Sequence, residues 1–175
     1  VTAAVLLAWR SRGSSGVAFG AVVALALAVL TRPTNILAIV PIAVCLGVSP
    51  RRWLWLGAGG APGALLLVRY NLAAYGAAVT TGYGDYSSLF GLANVGASLG
   101  NYVTWLPVLL TPVGVLVLGL PALLRKAPRL ITALLAWIAV FLIFYAFYFH
   151  THEAWWYLRF LLPAFPALVV GSLWV

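Results

Sequence analysis

Charge is scarce in this chain of 175 residues: 7% of its side chains are charged, Asp85 and Glu153 are its only acids, and Lys126 is its only lysine. With 65% hydrophobic residues and a mean hydropathy of +1.09, that shortage rules against a water-soluble domain and points to lipid as the solvent. Cysteine is almost absent too. Cys45 has no second cysteine to pair with, so there is no disulfide framework and the redox compartment stays open. Methionine is missing altogether, and both Val1 and Val175 fall inside apolar runs, so the chain reads as a fragment. The stretch Val1 to Trp9 is too short to span a bilayer. With no basic segment before it and no small-residue cleavage site behind it, it reads as the tail of a helix rather than a signal peptide.

What is present is a series of apolar runs, at about 16–31, 36–48, 53–70, 105–124, 130–149 and 158–175, each broken by charge, proline or polar residues. Crossing the hydrocarbon takes roughly 20 apolar residues as a helix. The expectation is therefore an all-α, polytopic transmembrane bundle of about six spans plus a partial N-terminal one, forming a single partial domain over 1–175 in the cell membrane.

Alternating these runs across a bilayer sorts the charges. Arg10, Arg12, Arg51, Arg52, Arg125, Lys126 and Arg129 fall on one side, and Arg32, Arg69, Arg159 and both acids fall on the other. The positive-inside rule makes the first side cytoplasmic. The net charge of +8 thus speaks for membrane topology and not for nucleic acid. Residues 16–48 read as a hairpin with two short arms, which leaves its turn, Thr31-Arg32-Pro33-Thr34-Asn35, recessed below the outer surface. In the gap from Asn71 to Thr104, Leu92, Val95, Leu99 and Tyr102 share one helical face and Asn94, Ser98 and Asn101 the other. That pattern predicts an extracytoplasmic interfacial helix covering the bundle.

Arg32 is the first candidate for chemistry, because a guanidinium presents a fork of donors suited to phosphate and an arginine at membrane depth is costly unless used. The plain alternative is a snorkelling side chain that stops a helix. Asn35 could bond a sugar hydroxyl or cap the next helix. Arg159 ends the run His150-Thr151-His152-Glu153-Ala154-Trp155-Trp156-Tyr157-Leu158, where it could meet a lipid phosphate, Glu153 or headgroups in general. Trp155, Trp156 and Tyr157 suit an interfacial belt, or else a stacking platform for a sugar ring. His150, His152 and Glu153 have a spacing that a divalent metal could use, but two or three ligands so placed are thin grounds, and neither a metal nor a cofactor is assigned. Asp85 follows Gly84 as a turn residue would, and a general base is the rival reading. Gly57, Gly59, Gly60 and Gly63 lack the strand and lysine of a nucleotide loop and suit close helix packing instead. There is no N-x-S/T acceptor or C-x-x-C pair.

Taken together, R-P-T-N at 32–35, R-Y-N at 69–71, T-T-G-Y-G at 80–84 and W-W-Y-L-R-F-L-L-P-A-F-P at 155–166 resemble the membrane-embedded glycosyltransferases of the GT-C type, in particular prokaryotic relatives of the protein mannosyltransferase and aminoarabinose transferase group. The resemblance covers nearly the whole chain, as the C-terminal part of the membrane domain. It implies transfer of a sugar, with inversion, from a polyprenyl-phosphate donor to a protein, lipid or glycan acceptor on the extracytoplasmic face. By the same resemblance, Arg32 and Arg159 take the donor phosphate, and Asn71 and Tyr83 lie near the sugar. The family's catalytic acid lies in a first outer loop, expected upstream of residue 1, so neither Asp85 nor Glu153 is taken as catalytic and the isolated fragment is expected to be inactive. Recessed arginines and broken helices would equally serve a transporter or flippase of a lipid-linked or anionic substrate, or a noncatalytic membrane subunit.

Overall fold

A computed structural model describes residues 1–11, 14–47, 49–78, 80, 89–149 and 158–175. The chain divides into two compact units, Val1–Tyr86 and Ser87–Val175, and each is taken by itself. Among the described residues everything regular is helical; the one β feature is an isolated antiparallel bridge between Phe90 and Tyr148.

In the first unit, α1 (Thr2–Arg10) leads into α2 (Ser15–Thr31). The Ser14 hydroxyl accepts from the Val17 amide and so starts α2. Arg32 is extended, at φ −153° and ψ 109°, and Pro33 fixes that break because the residue before a proline is pushed out of helical geometry. A 3-10 turn (Pro33–Ala38) and α3 (Ile39–Leu46) return the chain, and Gly47 at φ 67° ends α3. The α3 to α4 turn is held by Arg52 Nη1 donating to the Leu46 carbonyl (2.7 Å) and Trp53 Nε1 donating to that of Gly47 (3.0 Å). The long α4 (Pro50–Tyr75) then runs parallel to α2. Phe19 meets Trp55 edge to face with centroids 6.2 Å apart, Gly59 lies against Val22, and Gly63 lies against Ala26. A Cβ added at Gly63 would stand 2.7 Å from that of Ala26, so the glycines set how closely the two helices approach.

The second unit holds a 3-10 turn (Leu92–Asn94), α5 (Val95–Leu109), a 12-residue 3-10 helix (Pro112–Leu123), α6 (Pro128–Ala146), a further 3-10 turn (Leu158–Ala164) and α7 (Phe165–Trp174). Its core gathers Leu120, Ile131, Trp137, Phe141, Tyr145, Leu161 and Leu168. Buried polar groups find backbone partners: Tyr102 OH donates to the Leu142 carbonyl (3.0 Å) and Trp137 Nε1 to that of Pro163 (2.9 Å).

Two expectations are corrected. The six spans are not formed: among the described residues α6 is the one helix long and apolar enough to cross a membrane, judged by length and composition. Pro33 ends the run before it and Gly47 the run after it. Ser15–Thr31, Pro33–Leu46 and Leu158–Trp174 stay below the length required, and α4 is long but diluted by arginine, glycine and asparagine. The run 105–124 is not straight either. Leu92–Leu109 and Pro112–Leu123 meet at 113°, with Thr111 between them at φ 64° and ψ 162°, so they count as a second crossing only if one span is bent.

The second concerns the helix expected to cover the bundle, whose apolar stripe is turned inward only in part. α5 buries Ser98 completely and leaves Leu99 and Val103 exposed (51% and 78%), with Leu92 of the preceding turn at 81%. Of the apolar face expected to close over a bundle, Leu92 and Leu99 point outward, Val95 is half-buried and Tyr102 is buried. The reason is local: Asn94 Nδ2 donates to the Phe147 carbonyl (3.0 Å), and the Gly91 amide donates to the same carbonyl (2.9 Å). These bonds turn the polar side inward.

Candidate functional site

The break after α2 is the most developed polar feature of the first unit. The Ala28 carbonyl accepts from three donors: the Arg32 amide (3.0 Å), Thr31 Oγ1 (2.7 Å) and Asn35 Nδ2 (2.8 Å). Asn35 thus reaches back to close the preceding helix, where the sequence suggested a cap on the following one. The Asn35 amide also donates to the Arg32 carbonyl (2.9 Å), which ties the turn together. Asn35 is buried, and its Oδ1 has no hydrogen-bond partner, an acceptor left unsatisfied beside the break. Arg32 is half-buried at the C-terminal end of α2, where a cation complements the helix dipole.

Next to this break lies a cavity of about 440 Å³ between α2, the 3-10 turn and α4. Its wall is aliphatic, with Val29, Pro33, Ile36, Leu67 and Val68 among the lining residues and Asn71 its one polar side chain. Asn71 is buried and donates from Nδ2 to the Ala78 carbonyl (2.9 Å), so it pins the turn that follows α4 through Gly76 at φ 75°. Pro33, bonded to Arg32, and Asn71 line the same cavity, because the parallel register that pairs Gly63 with Ala26 carries position 71 to the level of the break. Arg32, Asn35 and Asn71 therefore gather at one end of the first unit. Arg69 leaves α4 on the side away from the cavity-lining residues Leu67, Val68 and Asn71, and it is exposed.

Arg159 belongs to the second unit. It is exposed, and its guanidinium carbon stands 5.1 Å from the Phe160 ring centroid. Phe160 stacks on Tyr145 (5.5 Å, 29°) and meets Tyr148 edge-on (5.1 Å), and Phe90 and Phe144 extend the cluster. The sequence reading missed this group: it spreads over Phe90, the end of α6 and Phe160, and no spacing rule links them. Tyr83, Asp85, His150, His152, Glu153, Trp155, Trp156 and Tyr157 lie outside the described residues, so the H-x-H-E cluster and both acids have no geometry to weigh. Among the described residues no group of three or more histidine, cysteine or acidic side chains is placed to hold a metal.

Compared with protein-family models, curated proteins and solved structures, the chain matches none.

Proposed function

We propose that this chain is part of a cell-membrane glycosyltransferase that passes a sugar from a polyprenyl-phosphate donor to a protein, lipid or glycan acceptor outside the cytoplasm. The observation that carries the reading is the aliphatic cavity beside the Arg32 break. A lipid-linked anion needs an apolar trough for its chain and a cation next to the trough for its phosphate, and α2 and α4 supply both within one unit. The resemblance of R-P-T-N and R-Y-N to the GT-C enzymes supplies the reaction. A carboxylate takes the acceptor proton, the acceptor oxygen attacks the anomeric carbon with inversion, and the phosphate leaves under the guanidinium. Arg159 is a second candidate for the leaving phosphate, and Tyr83 for the sugar. Asn35 and Asn71 act at this end first by holding backbone, with the unpaired Asn35 Oδ1 as the group left to accept from a ligand.

Residence in the membrane through more than α6 belongs to the same proposal. It is supported by the outward apolar side chains of α5 and by Leu54, Leu65 and Leu66 of α4, exposed at 74%, 69% and 58%. Such a surface suits hydrocarbon around it. The bent apolar pair Leu92–Leu109 and Pro112–Leu123 favours the rival reading of a lipid-linked substrate transporter, whose helices are commonly broken.

The test is transfer of radiolabelled hexose from synthetic polyprenyl phosphate in membranes containing the full product of the gene. Arg32→Ala is expected to lower the rate by about 100-fold, the usual cost of removing one donor from a developing anion. Absence of product with every hexose donor, together with movement of the intact donor between leaflets, would decide for transport instead.

A further inference from the structure

We propose that the second unit carries a binding site for an anionic phospholipid, with the headgroup on Arg125 and Lys126 and one acyl chain lying along the 3-10 helix Pro112–Leu123. The inference rests on the membrane residence proposed above and is independent of sugar transfer. Residues three apart on a 3-10 helix lie directly above one another. Here Pro112, Val115, Leu118 and Pro121, continued by Leu124, form one such row, and every member is exposed, Leu118 at 77%. The opposite row is turned inward: Leu120 is fully buried, and Gly171 of α7 packs against Leu120 and Val117. One face of this helix is thus committed to the protein, and the other is an uninterrupted apolar strip.

The strip has a length and an end that suit a lipid. The whole row covers about 24 Å at 2.0 Å per residue, and the part from Val115, where an apolar wedge begins, to Leu124 covers about 18 Å. That is close to one leaflet of hydrocarbon, half of roughly 30 Å. At its Leu124 end the chain turns through exposed Arg125 and Lys126, the Lys126 and Ala127 amides both donating to the Leu123 carbonyl (3.0 and 3.2 Å). The first turn of α6 that follows has no acidic residue and adds Arg129. The only acidic side chains in the chain, Asp85 and Glu153, lie outside the described residues, so no acidic side chain among those described stands beside Arg125 or Lys126. At its other end the strip runs into a wedge of about 310 Å³, where Val115 and Leu118 face Val103, Leu106 and Pro107 of α5 with Leu168 behind them. The 113° bend opens this wedge, and no charged side chain lines it. Cations at one end, an apolar track of leaflet length and an apolar wedge at the other end match a phosphate diester with a long acyl chain.

The test uses the full chain in phosphatidylcholine vesicles, with a bimane label on Leu116→Cys beside the strip; Cys45 is buried and stays unlabelled. Brominated acyl chains are supplied on either phosphatidylglycerol or phosphatidylcholine. Phosphatidylglycerol is expected to quench saturably at a low mole fraction, while phosphatidylcholine quenches only in proportion to its share of the bilayer. With about 1 kcal/mol for each cation near the surface, Arg125→Gln with Lys126→Gln should weaken the anionic preference about 25-fold. Equal quenching by the two lipids, or a preference for phosphatidylglycerol that survives the double substitution, overturns the site while leaving the transfer reading untouched. No quenching by either lipid, in protein that fails to enter vesicles, overturns it together with membrane residence.

Discussion

The two units are built from the same apolar alphabet and solve their packing in opposite ways. In the first, α2 and α4 lie parallel and close because glycines on α4 meet alanine and valine on α2. In the second, proline and a strained threonine bend the chain between α5 and the 3-10 helix, and large rings fill the space: Phe90, Phe144, Tyr145, Tyr148 and Phe160 sit with centroids 4.9 to 5.9 Å apart where they meet. The lesson concerns where the small and the stiff residues fall. Glycine on a facing stripe gives closely set helices with an aliphatic cavity beside them, and proline at a junction gives a bend with an apolar wedge.

The most forceful way to break the comparison is Gly63→Leu. A Cβ there already stands 2.7 Å from that of Ala26, and a leucine adds three more carbons at a contact backed by two helix backbones. Overpacking of this kind costs about 3 kcal/mol. Urea unfolding in detergent should show α2 and α4 losing amide protection together, while α6 keeps its own. Protection lost first in α6 would mean that the two units do not stand on separate cores.

A change at the bend should act in the opposite direction. Thr111 holds φ 64° and ψ 162°, a region that belongs almost entirely to glycine and that costs a β-branched residue about 1 to 3 kcal/mol. Thr111→Gly should therefore stabilise the second unit by about 1 kcal/mol, part of the relief being offset by the freer unfolded chain. Thermal unfolding in detergent micelles would register it as a higher midpoint. A lower midpoint would show that the threonine side chain holds the bend.

Much of this contrast was legible in advance for the first unit and little of it for the second. T-R-P-T-N announces the break at Arg32 because proline constrains its predecessor, and the Gly59 and Gly63 pair announces a close helix contact because glycine has no Cβ. The run 130–149 overlaps α6 from Pro128 to Ala146. The second unit hides its period. P-V-G-V-L-V-L-G-L-P-A-L is apolar at every position, so nothing in it separates a period of three from one of 3.6. For α5 the facing was legible only in part, because an amphipathic stripe is read on the premise that water lies outside. Ser98 is buried and Asn94 reaches the Phe147 carbonyl, while Tyr102 of the opposite stripe is buried too, so both faces of α5 find partners. At the candidate site, Arg32 and Asn35 could be found as a turn, but the clamp from Asn71 to Ala78 ends on a backbone carbonyl, which leaves no trace in side-chain spacing.

A smaller effect comes from Tyr102→Phe, which removes the hydroxyl that donates to the Leu142 carbonyl and fastens α5 to α6. Its aromatic ring stays in place, so the loss is about 1 kcal/mol, that of one intramolecular hydrogen bond. Faster amide exchange in α5, with α2 unchanged, would locate the loss in the second unit.

The finest comparison uses one substitution at two places with the same nominal crowding. A Cβ at Gly171 would lie 2.7 Å from Leu120 Cδ1, just as one at Gly63 would lie 2.7 Å from Ala26 Cβ. Leu120 Cδ1 is the tip of a side chain and can swing aside by rotating; Ala26 Cβ is fixed to its backbone and moves only if a helix moves. In both cases alanine gains about 1 kcal/mol over glycine in helix propensity. At Gly171 that gain should nearly cancel the cost of shifting Leu120 and easing a second contact, Val117 Cγ2 at 3.0 Å, so Gly171→Ala should change stability by less than about 0.5 kcal/mol. At Gly63 the cost of parting α2 from α4 should exceed the gain and leave a net loss of about 1 to 2 kcal/mol. Unfolding midpoints measured side by side decide the matter. If the two alanines cost the same, the contact distance alone governs, and the contrast between a rigid helix seam and a yielding aromatic and leucine core fails.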